Sequence, residues 1–179
     1  IDVIAVVCIA GWEKMLNAYA KQFGISKLLH IIPGGDCGQA SIRNGVYELE
    51  KYYSPDDIVL IHDAIRPMIS QEIISDCLVK TKQYGNAITV IPCAEAMIRT
   101  EDAITSDGSY PRENLKRTQT PQGFKLGVIC DLHRKALEVG ITNSVASCTL
   151  MIEMGKQVYF SAGSEKNIKL TTVEDLDIF

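Results

Sequence analysis

The chain has 179 residues, 46% of them apolar and 22% charged, which suits one globular domain and excludes a disordered or fibrous chain. A net charge of −4 offers no field for nucleic acid. No apolar run approaches the roughly 20 residues of a membrane-crossing helix, and the run Ile1 to Ile9 lacks the basic flank of a signal peptide.

Six cysteines (Cys8, Cys37, Cys77, Cys93, Cys130 and Cys148) are scattered, with no pair at zinc or redox spacing. Free thiols in a reducing cytoplasm are expected. His30, His62 and His133 are equally dispersed, which argues against metal ligands.

In chain order, Ile1 to Ala10 is a near-continuous β-branched run that predicts a strand buried on both faces. Trp12 to Phe23 predicts a helix with Trp12, Met15, Leu16, Tyr19 and Phe23 on one stripe. A strand at Lys27 to Ile32 ends in Pro33-Gly34-Gly35, and a helix follows over Gln39 to Tyr52. After a Ser54-Pro55-Asp56-Asp57 turn come a strand at Ile58 to Ile61, a helix at Ile73 to Tyr84 and a strand at Ala87 to Ile91. The alternation then breaks. Residues 93–119 are polar and contain Asp107-Gly108, a hairpin-turn dipeptide, so this segment reads as a projecting β-arm. Helices at Gly127 to Val139 and Val145 to Met154 follow, then strands at Gln157 to Ser161 and Ile168 to Leu170. Thr172 is placed to cap a last helix with Asp175 at N3.

Strand–helix alternation predicts an α/β fold, a Rossmann-like, mostly parallel sheet with helices on both faces. Residues 1–179 read as one domain that starts inside a strand. The first strand and Gly-rich phosphate loop of such a fold are expected to lie outside this sequence.

Four segments can carry chemistry, and each has a plainer reading. Gly35, Asp36 and Ser41 lie where a strand gives way to a helix, so a flat ring could approach the backbone there; a tight βα turn needs the same residues. Asp63 and Arg66 follow the strand VLI at the edge where open α/β sheets bind ligands. Asp63 could bind Mg²⁺ or ligand hydroxyls, and Arg66 a phosphate, or the two could simply pair. Arg112, Lys116 and Arg117 with Thr120 could surround a phosphate ester, or be a solvated arm. Lys169 lies between Ile168 and Leu170 and points away from them, either into a cleft as a phosphate-positioning charge or out to water.

Taken together and in this order, GGDCGQASIRNG, HDAIRP, RENLKRTQTPQGF and NIKLTTVEDL resemble the 2-C-methyl-D-erythritol 4-phosphate cytidylyltransferases and the related ribitol-5-phosphate cytidylyltransferases. The resemblance implies transfer of CMP from CTP to a polyol phosphate with release of pyrophosphate, Mg²⁺ as cofactor, and a homodimer made through the β-arm. Methylerythritol phosphate, an isoprenoid precursor, is the first acceptor it implies; ribitol 5-phosphate is the alternative. It implies that Gly35, Asp36 and Ser41 contact cytosine and that Asp63, also the metal ligand, and Arg66 lie at the junction of ribose and substrate. Lys169 would position the polyol phosphate, with Arg112 and Thr120 reaching from the partner's arm; Lys169 and Arg112 would be the catalytic charges. Three features depart from the family pattern. The Gly-rich loop is absent, so this sequence alone is expected to be inactive. Glu95-Ala96 stands where the arm usually has Asp-Thr, and Asn143-Ser144 replaces an acidic residue. A non-catalytic dimeric interaction module is the reading from another class.

Overall fold

A computed structural model describes all 179 residues. The chain forms two compact units, one of residues 1–59 and 124–158, the other of residues 60–123 and 159–179.

In the first unit β1 (Ile4–Cys8) pairs in parallel with β2 (Leu28–Pro33), and α1 (Glu13–Gln22) connects them. α2 (Gly38–Glu50) packs with α4 (Leu126–Glu138), where Val46, Ile129 and Cys130 are buried and the Cys130 thiol donates to the Val46 carbonyl. α5 (Ser147–Glu153) buries Cys148, Leu150 and Met151. The predicted stripe on α1 is not a core face. Trp12, Met15, Tyr19 and Phe23 are exposed, and the helix turns Ala20 inward instead.

Most of a four-stranded sheet of order β3-β7-β4-β8 lies in the second unit, with β3 at Ile58–Ile61, β4 at Asn86–Pro92, β7 at Lys116–Lys125 and β8 at Phe160–Ala162. β4 and β8 are parallel. α3 (Gln71–Tyr84) covers β4; Ser70 caps its start by accepting from the Ile73 N–H, and Gly85 ends it at φ 86°, a left-handed turn that favours glycine. β5 (Met97–Arg99) and β6 (Gly108–Tyr110) form an antiparallel hairpin, followed by a 3₁₀ turn at Arg112–Asn114. α6 (Glu174–Ile178) starts at the expected cap: the Thr172 hydroxyl accepts from the Asp175 N–H, and the Asp175 carboxylate accepts from the Thr172 N–H.

Four expectations are corrected here. The arm hairpin does not turn on Asp107-Gly108, because Gly108 already opens β6; its turn is closed by Asp102, which accepts from the N–H groups of Ile104 and Thr105. The arm ends before Lys116, where β7 joins the main sheet. The last sheet strand is Phe160–Ala162 rather than residues 157–161. Residues 168–170 form no strand; Leu170 N–H donates instead to the Ile65 carbonyl.

Candidate active site

The loop after β3 is tied down at both ends. Arg66 N–H donates to the Asp63 carbonyl, closing a turn, and Asp63 N–H donates to the Thr120 hydroxyl on β7 at 3.0 Å. The hydrogen bond from Leu170 to Ile65 brings the NIKL segment alongside. Three charges therefore meet in the second unit. Oδ2 of Asp63 receives Arg66 Nε at 3.3 Å and Lys169 Nζ at 3.3 Å. One carboxylate between two cations leaves the group with an excess positive charge, a setting for an anion.

Arg66 is the better fixed cation. Its side chain is 11% exposed, and Nη1 donates to the Asn167 carbonyl at 2.7 Å. A guanidinium carries five N–H groups; two are used here, by Asp63 and Asn167, so three remain for a ligand. Lys169 is 43% exposed and free to follow one. The plainer reading of Asp63 and Arg66 holds: the two pair, and the pair leaves donors of Arg66 uncommitted.

His62 supports this loop. Its Nε2 lies 3.2 Å from the Arg66 carbonyl and its Nδ1 2.9 Å from the Thr120 hydroxyl. A carbonyl can only accept, so the neutral ring carries its proton on Nε2 and Nδ1 accepts from Thr120. Burial, the largest influence, pushes the His62 pKa down, which favours that neutral ring. Thr120 is thus engaged within its own chain, accepting from Asp63 and donating to His62, and is buried. Thr120 itself sits on β7 of the main sheet. Arg112 lies on the arm, exposed, donating to the Ala94 carbonyl at 3.0 Å, and forms no ion pair with the Asp63 group.

In the first unit, Gly35 N–H donates to the Ser41 hydroxyl at 3.0 Å, joining two of the residues expected at a cytosine ring. A Cβ at Gly35 would stand 2.5 Å from the Ala40 Cβ, so the turn requires glycine. Asp36 is exposed beside it and Cys37 caps α2 through its sulfur, which accepts from the Ala40 N–H.

For a metal, Asp63 is the sole acidic side chain in its group, and its Oδ2 already faces two cations. No group of three His, Cys, Asp or Glu side chains gathers anywhere in the chain. The donor set suits an ion carried in by phosphates and completed by one carboxylate oxygen, not a cation cage built by the protein alone.

The profile of the IspD family, 2-C-methyl-D-erythritol 4-phosphate cytidylyltransferase, matches residues 2–178. The chain belongs to this cytidylyltransferase family. A ribitol-5-phosphate cytidylyltransferase of Lacticaseibacillus paracasei is 41% identical over 100% of this chain and 77% of its own length. A 2-C-methyl-D-erythritol 4-phosphate cytidylyltransferase of Clostridium botulinum is 36% identical over 98% of this chain and 75% of its own. The crystal structure of 4-diphosphocytidyl-2C-methyl-D-erythritol synthase from Anaerococcus prevotii superposes with a TM-score of 0.85 at 23% identity, covering 99% of this chain and 77% of that one, which shows the α/β fold. All six cysteines of this cytidylyltransferase are free thiols, and no helix is long and apolar enough to cross a membrane.

Two residues at the site were not singled out from the sequence. Gln119 and Asn167 are buried amides next to Thr120 and Lys169. They lie inside the motifs RENLKRTQTPQGF and NIKLTTVEDL, and their only signal was position within them.

Proposed function

We propose that this cytidylyltransferase transfers CMP from CTP to ribitol 5-phosphate, with 2-C-methyl-D-erythritol 4-phosphate as the second acceptor. The observation that carries the reading is the convergence of Arg66 and Lys169 on one oxygen of Asp63, with three Arg66 N–H groups unused. Support for ribitol 5-phosphate comes from the 41% identical Lacticaseibacillus relative, and from Glu95-Ala96 in the arm.

In the reaction, a phosphate oxygen of the polyol phosphate attacks the α-phosphorus of CTP. A P–O bond forms there, the bond from the α-phosphorus to the bridging oxygen breaks, and pyrophosphate leaves with the electron pair. No protein nucleophile is required, so the protein's part is positioning and charge neutralisation. Lys169 and Arg66 hold the acceptor phosphate, and Asp63 orients both cations. Gly35 and Asp36 offer backbone and carboxylate to the cytosine, and Ser41 holds their turn. Mg²⁺ would be held by Asp63 together with the nucleotide phosphates, where it offsets phosphate charge.

The arm is read as a homodimer contact. Met97, Ile98, Ile104 and Tyr110 are exposed on it, an apolar surface that a second copy would cover. Arg112, on the same arm, would then serve the partner's site. Mixing Arg112→Ala with Lys169→Ala should restore part of the activity in one of the two sites of each mixed dimer.

Pyrophosphate release by the complete enzyme, with CTP and each acceptor in turn and ATP as control nucleotide, tests the assignment. Faster turnover with methylerythritol phosphate would reverse the choice of acceptor. CTP binding no tighter than ATP binding would remove the cytidylyltransferase reading.

A further inference from the structure

Gln119 and Asn167 are the two groups at the site that the phosphate-transfer reading leaves without a task. On β7, Gln119 Nε2 donates to the Ser164 carbonyl at 2.9 Å and Oε1 accepts from the Ser164 N–H at 3.2 Å. The side chain thus pairs with the main chain as a neighbouring strand would. Asn167 Nδ2 donates to the Thr120 carbonyl at 2.9 Å and to Gln119 Oε1 at 3.3 Å. Asn167 N–H donates to the Ser164 carbonyl at 3.0 Å.

The consequence falls on one atom. The Asn167 carbonyl oxygen is held in place by these bonds and accepts Arg66 Nη1 at 2.7 Å. Space for the arrangement depends on Gly163, where a Cβ would lie 2.5 Å from Gln119 Oε1 and 2.9 Å from the Val90 carbonyl. Asn167 Oδ1 is buried with no partner, a cost to folding set against the two hydrogen bonds that its Nδ2 makes.

We propose that Gln119 and Asn167 are positioning residues that aim the Arg66 guanidinium by fixing the Asn167 carbonyl. This rests on the phosphate-transfer function proposed above. Held at Nε by Asp63 and at Nη1 by Asn167, the planar group keeps one orientation and turns its Nη2 edge to the acceptor phosphate.

The test is a double-mutant cycle on turnover of ribitol 5-phosphate in the complete enzyme, with folded protein quantified by thermal denaturation. Asn167→Ala should lower kcat/KM on the order of 10- to 100-fold. In an Arg66→Ala background the same change should cost less than about threefold, because the group it aims is gone. Equal losses in both backgrounds would mean a structural role and overturn the proposal. Gln119→Met, of similar size and without donors, repeats the cycle if Asn167→Ala does not fold. The wild-type protein decides independently: side-chain NMR of ¹⁵N-arginine-labelled enzyme should show slow guanidinium rotation at Arg66 before any ligand is added. Free rotation there would also overturn it. An enzyme silent with both acceptors would remove the functional reading, while the guanidinium measurement still decides the positioning one.

Discussion

Lys169 Nζ lies 3.3 Å from Oδ2 of Asp63, the oxygen that also receives Arg66, so an exposed lysine is anchored by a carboxylate already paired with a half-buried arginine. The Asp63–Lys169 pair contributes little to folding, since partly exposed ion pairs are worth roughly 0–1 kcal/mol. Its value lies in placing a charge.

Lys169→Ala should therefore lower kcat/KM by about 100-fold or more while changing the melting temperature little. Pyrophosphate release and calorimetry on the same preparation measure both. Retained activity would show that Arg66 alone neutralises the acceptor phosphate.

The start of α5 offers a prediction of opposite sign. Ala146 occupies the N-cap with extended backbone but has no side-chain acceptor. The Thr149 hydroxyl accepts from Ala146 N–H at 2.9 Å and donates to its carbonyl at 2.7 Å, which is half of a capping box. Ala146→Asp supplies the missing acceptor and a negative charge at the positive helix end. It should stabilise the protein by about 1 kcal/mol, read as a shift in the denaturant midpoint. A lower midpoint would mean that the carboxylate cannot reach the helix N–H groups.

How much of this was legible in the sequence depended on whether burial and hydrophobicity agreed. At Ala87 to Ile91 they did: the apolar run predicted there as a strand is β4, with Ala87, Ile88 and Ile91 buried. Asp63 and Arg66 stood out for a related reason, being charged residues at the carboxyl end of an apolar strand, and the structure brings Lys169 to them although residues 168–170 form no strand. β7 was not legible. Its buried stretch contains Gln119, Thr120 and Gln122, polar side chains satisfied inside the fold, which hydropathy cannot distinguish from a solvated arm. Asn167 escaped for the same reason. The α1 stripe failed in the other direction: helical spacing identified the helix correctly, yet most of its apolar residues are exposed.

Gly163 has no room for a side chain. With Gln119 Oε1 at 2.5 Å and the Val90 carbonyl at 2.9 Å from a Cβ, Gly163→Ala must displace either the amide or the end of β4. The expected cost is roughly 1–3 kcal/mol in stability, together with a fall in turnover from the displaced Gln119. Urea denaturation and pyrophosphate release check the two parts. Unchanged stability would show that the turn at Gly163 relaxes away from Gln119.

His133 on α4 makes stability depend on pH. It is 1% exposed, neither ring nitrogen has a partner, and burial, with a smaller contribution from the charge of Arg43, pushes its pKa from 6.5 down to about 4. Native His133 therefore stays neutral in a range where the unfolded chain takes up a proton. The native state is not penalised above pH 6.5, and it loses stability as pH falls from 6.5 to about 4, with no further loss from this group below that. The full effect is about 3 kcal/mol at most. His133→Leu should flatten the slope in that window and should not lower stability at neutral pH, since it replaces two unpartnered nitrogens by apolar carbon of similar volume. Ala146 lines the same small cavity as His133, so the carboxylate of Ala146→Asp should favour the protonated ring and shrink the slope as well. Chemical denaturation at steps between pH 4 and 7 measures all three proteins, and equal slopes for wild type and His133→Leu would assign the acid sensitivity to other groups.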